Sequence, residues 1–399
     1  MIKREEYLEK LIAFKDKQLI KVVTGIRRCG KSTLFKLFQE YLLSTGVDSK
    51  QIVSINFEDA DFEELTDYKK MYEYLKGKLV PNKMTYIFLD EIQNVKNFQK
   101  AVDSLYIKDN IDVYITGSNA YLLSGELATL LSGRYVQIKM LPLSFKEYAS
   151  AFDKNTSIER LFSNYLSDGG FPYIINLPDE ATKRDYLEGI YNTIVVKDVM
   201  VRNKISEPTI LQSIVKFIFD NIGNTTTPKK ISDTLTSYGR KISSPTVESY
   251  LQALEDSYII SKVSRYEVSG KQILKTQGKY YVTDLGLQKV LLNNNKQNIG
   301  HKLENIVYLE LLRRGYKVFI GKINNLEIDF VAEKNNYTYY FQVSQTVLDE
   351  NVLARELKPL QNIKDHNLKY LLTLDTLPQE NHYGIRQINV IDWLLSENE

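Results

Sequence analysis

Over the first 140 positions apolar residues fall in short unbroken runs, not in alternation. Residues 19–23 (LIKVV), 86–89 (YIFL) and the stretch DVYITGSNAYLL at 112–123 each contain such a run followed by a polar turn. A strand apolar on both faces belongs in a parallel sheet covered by helices on either side. Between the strands, STLFKLFQEYL carries its apolar residues at helical spacing. Strand, turn and helix alternate, which predicts an α/β fold. The stretch LATLLSGRYVQIKMLPLSF then reads as a helix end, Gly133-Arg134 and a fifth strand.

After Pro208 the rhythm changes. Three short helices are expected in ILQSIVKFIFDNIG, PKKISDTLTSYG and SSPTVESYLQALEDSYII, with two glycine stops. The third opens on an N-cap signal and sets Val247, Leu251 and Leu254 on one face. IISKVSRYEV and KYYVTDLGL read as strands around a polar hairpin, SGKQILKTQG, so this region looks like a winged helix-turn-helix. From about residue 298, GHKLENIVYLELLRRGYKVFIG is an amphipathic helix leading to a strand, and LEIDFVAEKNN and TYYFQVSQT form a further hairpin.

The chain has 399 residues, enough for roughly two to four domains. Apolar residues at 43% and charged residues at 26% are those of an ordinary globular protein. The net charge of +2 gives no global field toward nucleic acid or acidic lipid, so any such surface is local. A single cysteine, Cys29, excludes an intramolecular disulfide. The three histidines are scattered, and no run approaches the ~18 apolar residues of a membrane span. MIKREEYLEK lacks the apolar core of a signal peptide. A cytoplasmic protein without membrane association is expected.

Candidate chemistry starts at residues 22–35, VVTGIRRCGKSTLF, which match G-x-x-x-x-G-K-[ST]. Two glycines let successive N–H groups point into one concavity that attracts an anion. The expected nucleotide contacts are Gly25, Ile26, Arg27, Arg28, Cys29, Gly30, Lys31, Ser32 and Thr33. Lys31 would reach the β- and γ-phosphates, and the Ser32 hydroxyl would bind Mg²⁺. Asp90 and Glu91 end the YIFL strand, at the edge where such sheets bind ligands. Asp90 would hold Mg²⁺ with Ser32, and Glu91 would deprotonate the attacking water. In the TGSN turn, Asn119 or Ser118 could reach the γ-phosphate. Arg134, on the helix-to-strand turn, would face away from its own site, as an arginine finger donated to a neighbour does.

Together, KVVTGIRRCGKSTL, FLDEIQNV, ITGSNA, LLSGRY, LPLSFKEY and DGGFP resemble a prokaryotic AAA+ ATPase family, strongly to about residue 200 and more weakly beyond. The resemblance implies a P-loop core at 1–142 with a parallel sheet between helices, ATP and Mg²⁺ as cofactors, and homo-oligomers. It also implies a helical lid at 143–205 with SDGGFPYIINL as its signature turn. Gly169-Gly170 could then approach nucleotide or a neighbouring helix.

The winged helix-turn-helix is expected at 206–292. Residues 202–279 hold 12 Lys and Arg against 7 Asp and Glu, a net +5. Thr246, Ser249 and Gln252 on the third helix could enter a major groove of double-stranded DNA, with Lys229, Lys230, Arg240, Lys241 and Lys271 on phosphates. Residues 293–399 resemble a restriction-endonuclease-like α/β domain. Glu304 and Asp329 stand at its metal-binding positions, but Gln342-Val343-Ser344 replaces the usual acid and lysine, which points to a core that does not cleave. The leading expectation is a Mg-dependent ATP hydrolase that moves a DNA-binding C-terminal half. A signalling or scaffold NTPase acting on a protein partner, and an ATP-regulated DNA nuclease, are the alternatives.

Overall fold

The computed structural model describes residues 2–123, 133–205, 207–292, 299–376 and 381–397. They form two compact units: residues 1–142 with 256–258, and residues 143–255 with 259–399. The helix end expected around LATLL lies outside the described residues.

In the first unit five strands, β1 (Ile20–Thr24), β2 (Ile52–Asn56), β3 (Thr85–Asp90), β4 (Ile111–Gly117) and β5 (Tyr135–Lys139), form a parallel sheet in the order β2-β3-β4-β1-β5. Every residue of β1 and β3 is buried, Lys21 of β1 by pairing with Asp112 of β4. Helices α1 (Glu5–Ala13), α2 (Lys31–Ser44), α3 (Tyr68–Lys76) and α4 (Phe98–Tyr106) connect them. Phe35 and Phe38 of α2 pack on Phe88 and Tyr114, with ring centroids 4.8 Å apart for the stacked Phe88–Tyr114 pair. Met71, Leu75, Val102 and Leu105 of α3 and α4 join a second apolar cluster with Val22, Ile87 and Leu89.

Register places Thr24 opposite Gly117 and Asn56 opposite Asp90. All of these strand ends therefore open on one edge. The turns that follow β1, β3 and β4 gather at that edge.

The second unit begins with helices α5 (Phe145–Ala149), α6 (Ile158–Asp168) and α7 (Glu180–Thr193), the last running into a π-helical stretch, Ile194–Val201. Helices α8 (Pro208–Asp220), α9 (Pro228–Ser237) and α10 (Ser244–Asp256) follow, with the short strand β6 (Thr225–Thr226) between α8 and α9. Gly223 and Gly239, at φ 75° and 79°, stand just beyond α8 and α9. The Ser243 hydroxyl accepts from Thr246 N at the start of α10, and Val247, Leu251 and Leu254 are buried.

Strands β7 (Ile260–Glu267) and β8 (Gln272–Val282) are longer than the sequence suggests. Most of the expected polar hairpin is strand, with Gln272, Ile273, Leu274 and Gly278 paired to β7; Ile273 is half exposed. Helix α11 (Gly286–Leu291) comes next, then α12 (Ile299–Arg313), β9 (Lys317–Ile323), β10 (Leu326–Lys334), β11 (Tyr337–Val343), α13 (Glu350–Gln361), β12 (Leu368–Thr373), β13 (Asn381–His382), β14 (Ile385–Asn389) and α14 (Val390–Leu395). Parallel pairing of β7 with β9 merges all strands of this unit into a nine-stranded sheet, in the order β13-β14-β12-β11-β10-β9-β7-β8-β6. That sheet runs across the boundary expected at 292/293.

The Gly169-Gly170 turn packs within this unit, against the chain entering α11. Buried Asp284 accepts hydrogen bonds from Gly170 N at 2.7 Å and Gly286 N at 2.8 Å. Gly169 holds φ 78°, and a Cβ there would lie 1.9 Å from Asp284 Oδ1. Gly169→Ala should therefore destabilise the unit by about 1–3 kcal/mol, from backbone strain together with the displaced carboxylate. Denaturant unfolding checks this, and a change below roughly 0.5 kcal/mol would show that the turn tolerates a side chain.

Candidate functional site

The loop between β1 and α2 folds back on itself because its glycines permit it. Gly25 has φ 154°, and a Cβ on it would come within 2.1 Å of the Met140 carbonyl oxygen. Gly30 has φ 105°, and Arg28 between them is also left-handed at φ 69°. Ile26 and Cys29 point inward and are buried, while Arg28 is exposed. Burial pushes the Cys29 thiol above its ordinary value, which leaves it an inert packing group. Arg27 pairs with Glu58 at 2.6 Å.

A buried arginine braces the loop from behind. Arg4, at the N-terminus of α1, donates to the Cys29 carbonyl at 3.0 Å and to the Leu141 carbonyl at 2.6 Å. It therefore ties the loop to the segment after β5. Sequence reasoning missed it, because one arginine in an alternating-charge terminus carries no pattern that marks it as buried.

Lys31 is the first residue of α2 and is buried. Its ammonium lies 3.4 Å from Glu91 Oε1 and donates to the carbonyls of Gly25 and Ile26 at 3.2 and 3.4 Å. Ser32 and Thr33 follow at the helix N-terminus, with Ser32 exposed. Ser32 stands beside Asp90, which ends β3, and its hydroxyl favours the ionised carboxylate. Thr116, at the end of β4, links the two acids: its hydroxyl donates to Asp90 and accepts from Glu91 N at 2.9 Å.

Burial raises Asp90 above the usual carboxylate value, against the pull of the Ser32 and Thr116 hydroxyls. Burial opposes ionisation of Glu91 too, but the Lys31 charge and the Gln93 amide outweigh it, and its pKa is lowered. Gln93 donates to Glu91 Oε2 at 2.5 Å. Glu91 itself sits at φ 53°, a left-handed conformation uncommon for a residue with a side chain.

Asn119 follows β4 at the same sheet edge and is buried. Neither its amide nitrogen nor its carbonyl oxygen has a partner among the described residues. Leaving such groups unpaired costs about 1–3 kcal/mol each, so the side chain is poised for a polar group from elsewhere. Ser118, the other residue considered for this role, lies 3.4 Å from the Gln93 amide nitrogen. Arg134 is at the opposite edge of the sheet, where β5 begins. It pairs with Asp103 of α4 and lies over the Tyr106 ring, 5.5 Å from its centroid. The fold thus brings Lys31, Ser32, Asp90, Glu91 and Asn119 together and leaves Arg134 apart from them.

Comparison with known proteins fits this geometry. A family model described as an AAA domain matches residues 17–149, and one described as a domain of unknown function matches residues 159–298. An uncharacterized protein of Haemophilus influenzae is 42% identical over 99% of each chain. An uncharacterized protein of Methanocaldococcus jannaschii is 32% identical, over 94% of this chain and 85% of its own. Among solved structures, the chain is similar to the Walker-type ATPase of Pyrococcus abyssi at 16% identity and a TM-score of 0.48, covering 73% of this chain and 96% of the other. The chain belongs to one family with its uncharacterized Haemophilus and Methanocaldococcus relatives, and in this chain an AAA domain stands next to a domain of unknown function.

Proposed function

We propose that the first unit binds and hydrolyses ATP with Mg²⁺, and that the cycle acts on double-stranded DNA held by the second. One observation carries the reading. A lysine, a carboxylate pair and a buried amide with no partner among the described residues converge beside a glycine-bracketed loop.

The loop N–H groups and the N-terminus of α2 would cradle the phosphates. Ser32 and Asp90 would hold Mg²⁺, which would neutralise phosphate charge there. Without nucleotide, Lys31 neutralises Glu91 and keeps it a weak base. A γ-phosphate competes for the same ammonium. As Lys31 turns to phosphate, Glu91 loses the charge that lowers its pKa and becomes a stronger acceptor for a water proton. Gln93 and the left-handed backbone keep its carboxylate aimed during that exchange. Asn119 would orient the γ-phosphate or the water with its two free polar groups.

In the second unit, α8 to α10 and the β7–β8 hairpin have the makeup of a winged helix-turn-helix. Ser249 and Gln252 are exposed on α10, and Lys229, Lys230, Arg240, Lys241 and Lys271 are exposed around it. This arrangement supports a groove-reading helix flanked by phosphate contacts.

Lys31→Ala should abolish the nucleotide-dependent thermal shift, which at 100-fold above Kd is worth about 2.7 kcal/mol. Glu91→Gln should keep that shift and hydrolyse ATP more slowly by roughly two orders of magnitude or more, the usual share of a general base. Calorimetry and phosphate-release assays separate the two effects, and wild-type turnover by Glu91→Gln would remove the assigned base.

Charge reversal at Lys229, Lys230, Arg240 and Lys241 should weaken duplex binding across all sequences. The slope of log K against log salt should fall by about 0.9 for each lost phosphate contact. Fluorescence anisotropy over a salt series tests this, and the DNA reading fails if the intact protein shows no salt-dependent duplex binding.

A further inference from the structure

A buried lysine in the second unit sits among the carboxylates of the nuclease-like region. Lys279, on β8, is 4% exposed. Its ammonium lies 2.8 Å from Glu304 of α12 and 2.8 Å from Glu327 of β10. Tyr281, two residues further along β8 and so on the same face, donates its hydroxyl to the same Glu304 oxygen.

Backbone irregularities help assemble the cluster. β10 carries a bulge between Ile328 and Val331, so Asp329 and Phe330 together face one residue of β9. The register of β8 against β7 also shifts, between Gly278 and Leu274, just before Lys279. Gly223 faces Glu304 closely, since a Cβ there would be 3.1 Å from Oε2.

One oxygen of each of the two carboxylates is engaged by the protein. Glu304 Oε1 holds Lys279 and Tyr281. Asp329 Oδ2 accepts from Val343 N at 2.8 Å. Gln342, where an acid would add charge, accepts from Asp329 N at 3.3 Å and donates to Glu356 at 2.9 Å. Ser344 donates to the Thr346 carbonyl. Among the described residues, no group of three or more His, Cys, Asp and Glu is arranged to hold a metal ion.

We propose that the Lys279 ammonium is the resident cation of this cluster, standing where the carboxylates would otherwise collect a divalent ion. The region is then a metal-free core that cuts no phosphodiester bond, and the ion pair fastens the β7–β8 hairpin to α12 and β10. A tethered ammonium has the advantage over Mg²⁺, which surrenders its water shell reluctantly. The inference is independent of nucleotide chemistry.

The test is Mn²⁺ binding to the full chain without nucleotide, followed by electron paramagnetic resonance. An Asp90→Asn background keeps the first unit from contributing an ion site. The parent should bind no Mn²⁺ at the cluster and leave supercoiled DNA intact in Mn²⁺. Lys279→Ala should gain one Mn²⁺ site, tighter than any in the parent by about tenfold or more, and Asp329→Asn should remove it again. A parent that binds one Mn²⁺ lost in Asp329→Asn overturns the proposal, as does a folded Lys279→Ala with no gain. If Lys279→Ala does not fold, Lys279→Met with Glu304→Gln removes both charges together. That pair should fold as the parent does, and its failure to fold would show that the lysine has a packing role instead.

Discussion

Hydrogen bonding in a parallel sheet forces every strand of the first unit to end on the same edge, and the candidate site depends on that constraint. Thr24, Asp90 and Gly117 lie far apart in sequence, yet the register of β1, β3 and β4 brings their following turns together. The helices supply the rest. α2 begins at Lys31, so its N-terminal N–H groups and its lysine face the place where Asp90 and Glu91 leave β3. Arg4 and Met140 fix the far side of the loop, one by donating to it and the other by leaving room only for Gly25.

Within that frame, charge decides the state of the site. A lone carboxylate as buried as Glu91 would tend to take up a proton. The Lys31 ammonium, 3.4 Å away, keeps it ionised. Such pairs are costly to break by deletion but open to exchange when a better anion arrives. Triphosphate brings several charges where Glu91 brings one. The second unit uses the same physics to the opposite end. Lys279 has two carboxylate partners from two different elements, which makes its cluster a fastening.

What the sequence showed, it showed through periodicity and through fixed spacing. Unbroken apolar runs marked the buried strands, and the spacing of Gly25, Gly30, Lys31 and Ser32 marked the loop, because both are local properties of the chain. Arg4 was illegible, since its partners Cys29 and Leu141 are 25 and 137 residues away. Asp284, 114 residues from Gly170, was equally hidden behind a glycine pair that only looked like a turn. Lys279 was counted as one more basic residue of a winged helix. Its place beside Glu304 depends on a register shift and on pairing between β7 and β9, neither of which leaves a mark in the pattern of apolar positions. The strand character of QILKTQG was missed for a related reason, as a ladder satisfied by backbone alone needs no apolar alternation.

The central claim is that the convergence of Lys31, Asp90, Glu91 and Asn119 is a working catalytic site whose output the second unit uses. Steady-state phosphate release from ATP by the intact protein with Mg²⁺, with and without duplex DNA at two salt concentrations, tests it most directly. Release that saturates with ATP, and that duplex DNA accelerates more strongly at the lower salt, is the predicted result. No release under any of these conditions, from folded protein that binds ATP, would contradict it.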